Sequence, residues 1–339
     1  MNPSAQNEQY LLAGDIGGTK TSLAVYSTAG NAKEPLHTGT LPSNDYTNLE
    51  TLAEAYLQQA GYDVSAACFG IAGPVVDGRV EVTNLPWIVV VHDLRSALGL
   101  DHLWLLNDLE SIAYSIPILD RDDLHTLIDR KADDDGAIAV IAPGTGLGEG
   151  YLTYVDGAYR AFPSEGGHTD FGPVNNLQVE LLTYLMETFE HVSYEHVCSG
   201  IGIPNIYNFL RDCSHAEEPE WLAQELAQAE DRTPIIVNTA LHPDRSCEIC
   251  KKTLDLFVSI LGAEAGNLAL KVLATSGVYL GGGIPPRIIS ALESDTFKQA
   301  FNNKGRFRDL TSKIPVHIIL NPKVALIGAA RYGLSQQRK

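Results

Sequence analysis

Two strand–turn–strand units, each built around a glycine-rich turn, constrain the fold of this chain more than any other feature. In the first unit, apolar residues precede Gly17-Gly18, and residues 22–27 alternate as a strand. A P-loop would instead lead into a helix, and it would need a glycine where Thr19 stands. We therefore predict a β-hairpin whose turn allows the backbone to approach a phosphate group closely.

A second unit of the same kind lies further along the chain. Predicted strands at 137–141 and 150–154 flank a glycine-rich turn, in which Gly144-Thr145 aligns with Gly18-Thr19 of the first unit. This turn is not a dinucleotide fingerprint, because Glu149 stands where the final glycine is required. We interpret the two units as an internal duplication in which each half supplies one phosphate-holding turn.

The length of the chain and the order of its elements predict two domains. At roughly 150 residues per domain, 339 residues exceed one comfortable core. Strands near 64–71 and 103–106 alternate with helical stretches, which favours α/β domains with a mixed sheet. We expect residues 1–118 plus about 310–339 to form a small α/β domain and residues 119–309 a large one.

Two helix boundaries can be predicted from local signals. Thr47 and Glu50 have the spacing of a capping box, and the apolar face that follows stops at Gly61. Pro322, after Asn321, marks the start of a C-terminal helix. We expect that helix to return to the small domain.

Charge and cysteine content limit the functional classes. The formal net charge is −18, which would repel nucleic acid and anionic membrane surfaces. Five cysteines, an odd number in a long chain, favour reduced thiols, and Cys247-x-x-Cys250 has no second pair to complete a zinc site. The first residues lack the features of a signal peptide, and we see no apolar run of membrane-spanning length. We expect a cytoplasmic protein without nucleic-acid or membrane partners.

Asn107-Asp108 is the strongest catalytic candidate. The pair follows an apolar strand and precedes a helical stretch, which is a common ligand position in α/β folds. An Asx N-cap explains such a pair equally well. A carboxylate at that position can also accept the proton of an attacking hydroxyl, so Asp108 is our candidate general base.

Other polar residues lie next to glycines. Thr19 offers a hydroxyl and Asp15 a carboxylate that can hold Mg²⁺ through water. Glu165 and His168, on a glycine-rich loop, and Glu195 could bind the hydroxyls of a sugar, although solvated carboxylates or a metal site remain alternatives. The backbone of Gly281-Gly282-Gly283 either passes close to a flat adenine or a ribose, or it simply ends a strand.

Five motifs occur in the order seen in bacterial glucokinases, and the chain resembles that family from about residue 10 to residue 334. The motifs are Asp15-Ile16-Gly17-Gly18-Thr19, Leu106-Asn107-Asp108, Pro143-Gly144-Thr145-Gly146, Ser164-Glu165-Gly166-Gly167-His168 and Gly281-Gly282-Gly283. The resemblance implies an α/β, two-domain actin-like ATPase (ribonuclease H-like) fold with an active-site cleft between the domains. It also implies a glycolytic activity, transfer of the γ-phosphoryl group of ATP to the 6-hydroxyl of D-glucose, giving glucose 6-phosphate and ADP.

The resemblance also assigns roles to individual residues. Asp108 would be the base, and the sugar would be bound by Asn107, Asp108, Glu165, His168 and Glu195. The Gly17–Thr19 and Gly144–Gly146 turns would hold phosphates, with Gly282 near the adenosine. With the residue-level argument added, the predicted nucleotide-binding residues are Gly14, Asp15, Ile16, Gly17, Gly18, Thr19, Gly144, Thr145, Gly146 and Gly282, and Mg²⁺ is predicted at Asp15 through water.

No cysteine cluster follows His168, so the zinc site of related sugar kinases is not expected. A homodimer is common among similar proteins, and the alternative to an enzyme is a non-catalytic sugar-sensing protein of the same fold.

Overall fold

The computed structural model describes residues 9–245 and 247–338. The chain forms two compact units, and both contain sheets and helices. The first comprises the described residues up to Asp120, Gly157–Pro163, and those from Asn321 onward, and the second comprises Arg121–Asp156 and Ser164–Leu320. The domain boundaries expected from the sequence, at 118 and about 310, differ slightly from these limits. They stay a prediction, as does the cleft.

The strands are β1 (Tyr10–Ile16), β2 (Lys20–Ser27), β3 (His37–Pro42), β4 (Ala66–Ile71), β5 (Arg79–Glu81), β6 (Ile88–Val90), β7 (His102–Asn107), β8 (Leu124–Ile128), β9 (Ile138–Pro143), β10 (Leu147–Val155), β11 (Ala158–Ser164), β12 (Gly277–Leu280) and β13 (Val316–Ile319). The helices are α1 (Leu49–Ala60), α2 (Val91–Ala97), α3 (Asp108–Ser115), α4 (Asn176–Met186), α5 (Gly202–Asp212), α6 (Glu220–Ala227), α7 (Thr233–Leu241), α8 (Glu248–Val272), α9 (Ile289–Leu292), α10 (Asp295–Asn302), α11 (Arg308–Thr311) and α12 (Val324–Gln337).

The central strands of the two units have the same order and directions. In the first unit β2-β1-β4-β7 are neighbours, with β1 antiparallel to β2 and parallel to β4, and β4 parallel to β7. In the second unit β10-β9-β12-β13 repeat this arrangement. Both predicted hairpins are therefore present, and the shared order supports an internal duplication.

Helix α12 packs on the first sheet, as its predicted return required. Leu326, Ile327 and Leu334 of this helix share a buried cluster with Leu11 of β1. Gly328 lies so close to the Ser111 carbonyl oxygen of α3 that a Cβ atom would overlap it. The helix begins at Val324 rather than at Pro322, because the Asn321 side chain first accepts the Lys323 N–H at 2.9 Å and forms a turn.

The start of α1 differs from the prediction. Its N-cap is Asn48, whose side-chain oxygen accepts the Thr51 N–H at 3.0 Å, so Thr47 and Glu50 do not form the predicted capping box. Asparagine competes well for this position because its short amide reaches the free backbone N–H groups of the first turn. The predicted end is confirmed, since Gly61 takes the left-handed conformation at φ 73°.

Helix α8 runs through the core of the second unit. Among the described residues it is the one helix long and apolar enough to cross a membrane, yet 78% of its most apolar stretch is buried within the protein. The expectation that no apolar run reaches membrane-spanning length is therefore wrong for Glu248–Val272. A helix surrounded by its own domain is apolar on all sides, so it passes the same composition test.

Candidate active site

The first glycine turn connects β1 and β2, and a buried serine supports it. The Gly17 N–H donates to the Lys20 carbonyl at 3.2 Å, which closes the turn. Ser43 donates its hydroxyl to the Gly17 carbonyl at 2.8 Å and its backbone N–H to the Thr19 carbonyl at 3.0 Å. The Thr21 hydroxyl lies 3.0 Å from the Ser43 hydroxyl. Sequence reasoning missed Ser43, because nothing in its local pattern points to a turn 26 residues earlier in the chain.

Strand register brings two of the predicted site segments together in the first unit. Ile16 of β1 pairs with Ile71 of β4, and Ile71 pairs with Asn107 of β7. These three residues therefore lie side by side at the carboxyl ends of parallel strands, the edge at which α/β sheets commonly bind ligands. Asp108, the first residue of α3, follows directly.

Asn107 is the N-cap of α3, as one of the two interpretations of the pair predicted. Its side-chain oxygen accepts the Leu109 N–H at 2.9 Å, and its amide nitrogen donates to the Gly73 carbonyl at 3.1 Å. The amide carries a second hydrogen, which stays available to a ligand. Capping fixes the side chain at this edge, so the structural and the functional interpretation are compatible.

Asp15 lies on β1 next to the first turn and is half-buried. The pKa of its carboxyl is raised to about 6, mainly by burial and then by the negative charge of Asp108, while Lys20 partly opposes the rise. The two carboxylates are thus close enough to interact electrostatically. A divalent cation bound near them would offset this repulsion.

The second glycine turn, between β9 and β10, is held mainly by backbone groups. The Gly144 N–H donates to the Gly146 carbonyl at 2.9 Å. The Gly144 carbonyl accepts the Gly200 N–H at 2.8 Å, and the Thr145 carbonyl accepts the Ile201 N–H at 3.3 Å. The segment that precedes α5 therefore stabilises this turn through backbone hydrogen bonds.

Glu195 joins this turn to the loop that carries Glu165 and His168. Its carboxylate accepts the Leu147 N–H at 2.9 Å, and its backbone N–H donates to the Gly167 carbonyl at 2.8 Å. The imidazole of His168 lies 4.0 Å from the carboxylate of Glu165, and both side chains are exposed. The second unit thus brings together the three sugar-binding candidates that the sequence assigned to it.

Close backbone contacts explain two of the glycines. A Cβ atom on Gly167 would overlap the Leu147 carbonyl oxygen. Gly282 has φ +77°, and a Cβ atom there would overlap the Pro143 carbonyl oxygen at the end of β9. The glycine run after β12 is therefore held against the second turn.

A pocket of about 960 Å³ opens beside this turn, within the second unit. Gly144, Thr145 and Gly283 line it, whereas Gly146 and Gly282 are not among its lining residues in the described chain. Sequence reasoning missed five other residues of its wall, which are Arg232, Thr233, Asn238, Arg287 and Ile288. The packing of α7 brings the first three to the turn, and the last two follow the glycine run after β12.

The protein family is established by comparison with known sequences. A family model described as Glucokinase matches residues 12–336. The chain belongs to the glucokinase family. A curated glucokinase of Nostoc punctiforme is 42% identical over 336 residues, covering 94% of this chain and 97% of that protein. A curated glucokinase of Yersinia pestis is 36% identical, covering 95% of this chain and 96% of that protein.

Solved structures of glucokinases have the same fold. The glucokinase of an Antarctic psychrotroph is 32% identical, has a TM-score of 0.83, and covers 96% of this chain and 99% of that chain. A ROK family glucokinase of Streptomyces griseus, solved in complex with glucose and AMPPNP, is 20% identical with a TM-score of 0.62, covering 96% and 99%. The fold class is thus the two-domain α/β actin-like ATPase fold that the sequence predicted.

This glucokinase-family chain also buries a carboxyl group directly beneath its glycine-rich loop. Glu149 of β10 is 1% exposed, its Oε2 atom packs against Gly166, and its Oε1 atom has no hydrogen-bond partner within residues 9–245 and 247–338. The pKa of Glu149 is raised to about 8, mainly by burial and then by Glu264, while Lys271 partly opposes the rise. In the sequence, Glu149 was notable only because it stands where a dinucleotide fingerprint requires its final glycine.

Among the described residues, no group of three or more His, Cys, Asp or Glu side chains is arranged to hold a metal ion. The expected Mg²⁺ ligand, Asp15, would therefore act with water and with oxygen atoms of a bound nucleotide.

Proposed function

We propose that this protein is a glucokinase, which transfers the γ-phosphoryl group of ATP to the 6-hydroxyl of D-glucose. Membership of the glucokinase family supports the reaction. The observation that carries the mechanism is the position of Asp108, at the carboxyl edge of parallel strands beside Asn107. A sugar hydroxyl at that edge can pass its proton to the carboxylate as it attacks.

Asn107, Glu165, His168 and Glu195 would hold the sugar. The Asn107 amide keeps one hydrogen for a sugar hydroxyl after donating the other to Gly73. Glu195 uses one carboxylate oxygen on the Leu147 N–H, so its other oxygen can accept from the sugar. Positioning of this kind supplies much of the catalysis in phosphoryl transfer, because the protein performs little covalent chemistry.

The two glycine turns would hold the phosphates through backbone N–H groups, and the pocket beside Gly144 would take the adenosine. Polar and apolar residues share its wall, which suits a nucleoside. Asp15 suits a Mg²⁺ ligand, because the negative charge of nearby Asp108 destabilises the ionised form of Asp15 unless a cation offsets it. When bound, Mg²⁺ neutralises charge on the phosphates. A cytoplasmic location and a homodimer stay predictions.

The test is ADP release with Mg-ATP across a panel of hexoses, with the wild type beside Asp108→Asn. The matched control is Asp93→Asn, an exposed carboxylate in the first turn of α2. We expect glucose to stimulate wild-type and control turnover, and Asp108→Asn to lose about 100-fold or more in kcat while still binding sugar.

If no hexose stimulates wild-type turnover but glucose still binds, the sugar-sensing alternative replaces the enzyme. If Asp108→Asn retains full turnover, the role of Asp108 as the base is refuted and the kinase activity is not.

A further inference from the structure

The Cys247-x-x-Cys250 pair is the one cysteine motif that the proposed reaction does not use. Cys68 and Cys198 are 0% exposed and lie in separate buried clusters, and Cys213 is exposed at the end of α5. Cys247 is half-buried and Cys250 is buried. The pair therefore combines one thiol that solvent can reach with one that it cannot.

The two thiols lie next to each other. Cys247 is the N-cap residue of α8, but its side chain makes no capping hydrogen bond. Cys250 lies three residues later, on the same side of the first turn. The two residues thus belong to one helical turn, Cys247 at its start and Cys250 within it. Residues at this spacing in a helix have Cβ atoms about 5–6 Å apart, so only a small local adjustment brings them within disulfide range.

We propose that Cys247 and Cys250 form a redox-active dithiol, a modification site that closes to an intrachain disulfide by exchange with a small-molecule disulfide. The Cys247 thiolate attacks one sulfur of the external disulfide, whose S–S bond breaks; the attacked sulfur stays on Cys247 as a mixed disulfide, and the other sulfur leaves as a thiolate that takes up a proton. The Cys250 sulfur then attacks the Cys247 sulfur, and its proton goes to the second leaving thiolate. The protein dithiol is oxidised by two electrons, and the external disulfide is reduced to two thiols.

Burial supports this order of attack. It raises the pKa of the Cys250 thiol, and the neighbouring Cys247 thiol raises it further. Cys250 therefore keeps its proton in the resting state and serves as the resolving thiol. Cys247 is the accessible partner and the site of first attack.

The dithiol lies close to residues that lead to the proposed nucleotide pocket. Burial and then Glu218 raise the pKa of the Tyr207 hydroxyl, and Cys250 and Cys247 are close enough to contribute. The Tyr207 hydroxyl donates to Glu218 at 2.8 Å, and the guanidinium of Arg232, a pocket residue, lies 5.4 Å from the Tyr207 ring centroid. A disulfide brings its sulfurs to about 2.05 Å, so its formation shifts this packing. We therefore expect oxidation to affect nucleotide binding, a consequence that rests on the proposed function.

The test of the site itself needs no kinase assay. The folded full-length Cys213→Ser variant, which lacks the exposed thiol, is equilibrated with mixtures of oxidised and reduced glutathione. It is then unfolded in denaturant with an excess of alkylating agent, so that the buried Cys250 thiol can also react, and analysed by peptide mass spectrometry. We expect Cys247 and Cys250 to lose alkylation together in a peptide two hydrogens lighter, with full reversal by dithiothreitol. If both stay alkylatable in oxidised glutathione alone, the proposal is wrong.

Single variants separate the two roles. In the Cys213→Ser background, Cys250→Ala should accumulate a glutathione adduct at Cys247, whereas Cys247→Ser should form neither adduct nor disulfide. An adduct at Cys250 in the second variant would overturn the assigned order. Circular dichroism of each variant shows whether it is folded.

Kinetics test the link to the pocket. Oxidised Cys213→Ser protein should show a several-fold higher KM for ATP than the reduced protein, with a smaller change in the KM for glucose. Equal KM values for ATP in fully oxidised and reduced protein would refute the link. Absence of any kinase activity would refute the proposed function while the thiol analysis still decides the site.

Discussion

The two glycine turns occupy the same place in two sheets of the same strand order, yet different groups support them. In the first unit the hydroxyl and the backbone N–H of Ser43 hold the turn. In the second unit the backbone N–H groups of Gly200 and Ile201 hold the turn, and the Glu195 carboxylate accepts the N–H of Leu147, the first residue of β10.

The carboxylates differ in the same way. Asp15 lies on the first strand of the first hairpin, half-buried and near Asp108. Ile141 stands at the aligned position of the second hairpin and is fully buried. The second hairpin instead carries Glu149 on its other strand, facing Ile141 in the register. Under the proposed function, both copies of the duplicated backbone would contact phosphates, and only the first would also carry a cation ligand.

Loss of the Asp15 charge should have the largest effect. Asp15→Asn is expected to lower kcat about 100-fold, because a charge that helps to hold Mg²⁺ near the phosphates is lost. Its thermal stability should not fall, since burial and Asp108 both disfavour the charged form. Steady-state kinetics and thermal unfolding measure both, with the exposed Asp63→Asn as control. An unchanged kcat would mean that the Asp15 carboxylate, which the second hairpin lacks at the aligned position, does not contribute to catalysis.

Crowding between the glycine-rich loop and β10 should have the next largest effect. Gly167→Ala is expected to lower the free energy of unfolding by about 2 kcal/mol, because the new Cβ atom meets the backbone oxygen of Leu147. Gly144→Ala is the matched control, since nothing lies within 4 Å of a Cβ atom at the tip of the turn. Urea denaturation compares the two. Equal stabilities would show that the loop can move away from β10.

Glu149 should make stability depend on pH. Its pKa rises from an ordinary 4.5 to about 8 on folding, so between these values the folded state binds more protons than the unfolded state. Stability should therefore fall as pH rises through this window, by up to about 1.4 kcal/mol per pH unit.

Glu149→Gln should remove that part of the slope, whereas Glu190→Gln, at an exposed position, should keep it. Urea denaturation at several pH values between 5 and 8 provides the measurement. Parallel slopes for wild type and Glu149→Gln would mean that the buried carboxyl does not titrate in this range.

Removal of the Ser43 hydroxyl should have the smallest effect. Ser43→Ala is expected to destabilise the protein by about 1 kcal/mol and to raise the KM for ATP a few-fold, since the Gly17 carbonyl loses a donor. Ser22→Ala serves as control, because its exposed hydroxyl makes a long contact, at 3.4 Å, with the Thr40 hydroxyl. If both variants keep the wild-type KM, the first turn needs no side-chain support.

Local signals predicted the parts of this molecule that depend on local rules. The hairpin turns, the end of α1 at Gly61 and the Asn107 cap follow from glycine, periodicity and Asx chemistry. The same signals failed where two neighbours competed, as at Thr47 and Asn48, since the winner depends on how the chain enters the helix.

Contacts between distant segments were not predictable. Ser43 reaches Gly17, Glu149 packs under Gly166, and Arg232 lines the pocket only because the sheets and helices close around them. The membership of Gly157–Pro163 in the first unit is of the same kind. A sequence pattern records which residue is unusual, and only packing shows what that residue touches.

The position of α12 has a consequence for how the protein is made. Synthesis proceeds from the N-terminus, and the apolar face of β1 that Leu326 and Leu334 cover is finished some 300 residues before them. All segments of the second unit have been synthesised by Leu320, before α12 begins. On the ribosome, therefore, the half of the molecule encoded first is the half that completes its core last, and until then that apolar face stays uncovered by its own helix.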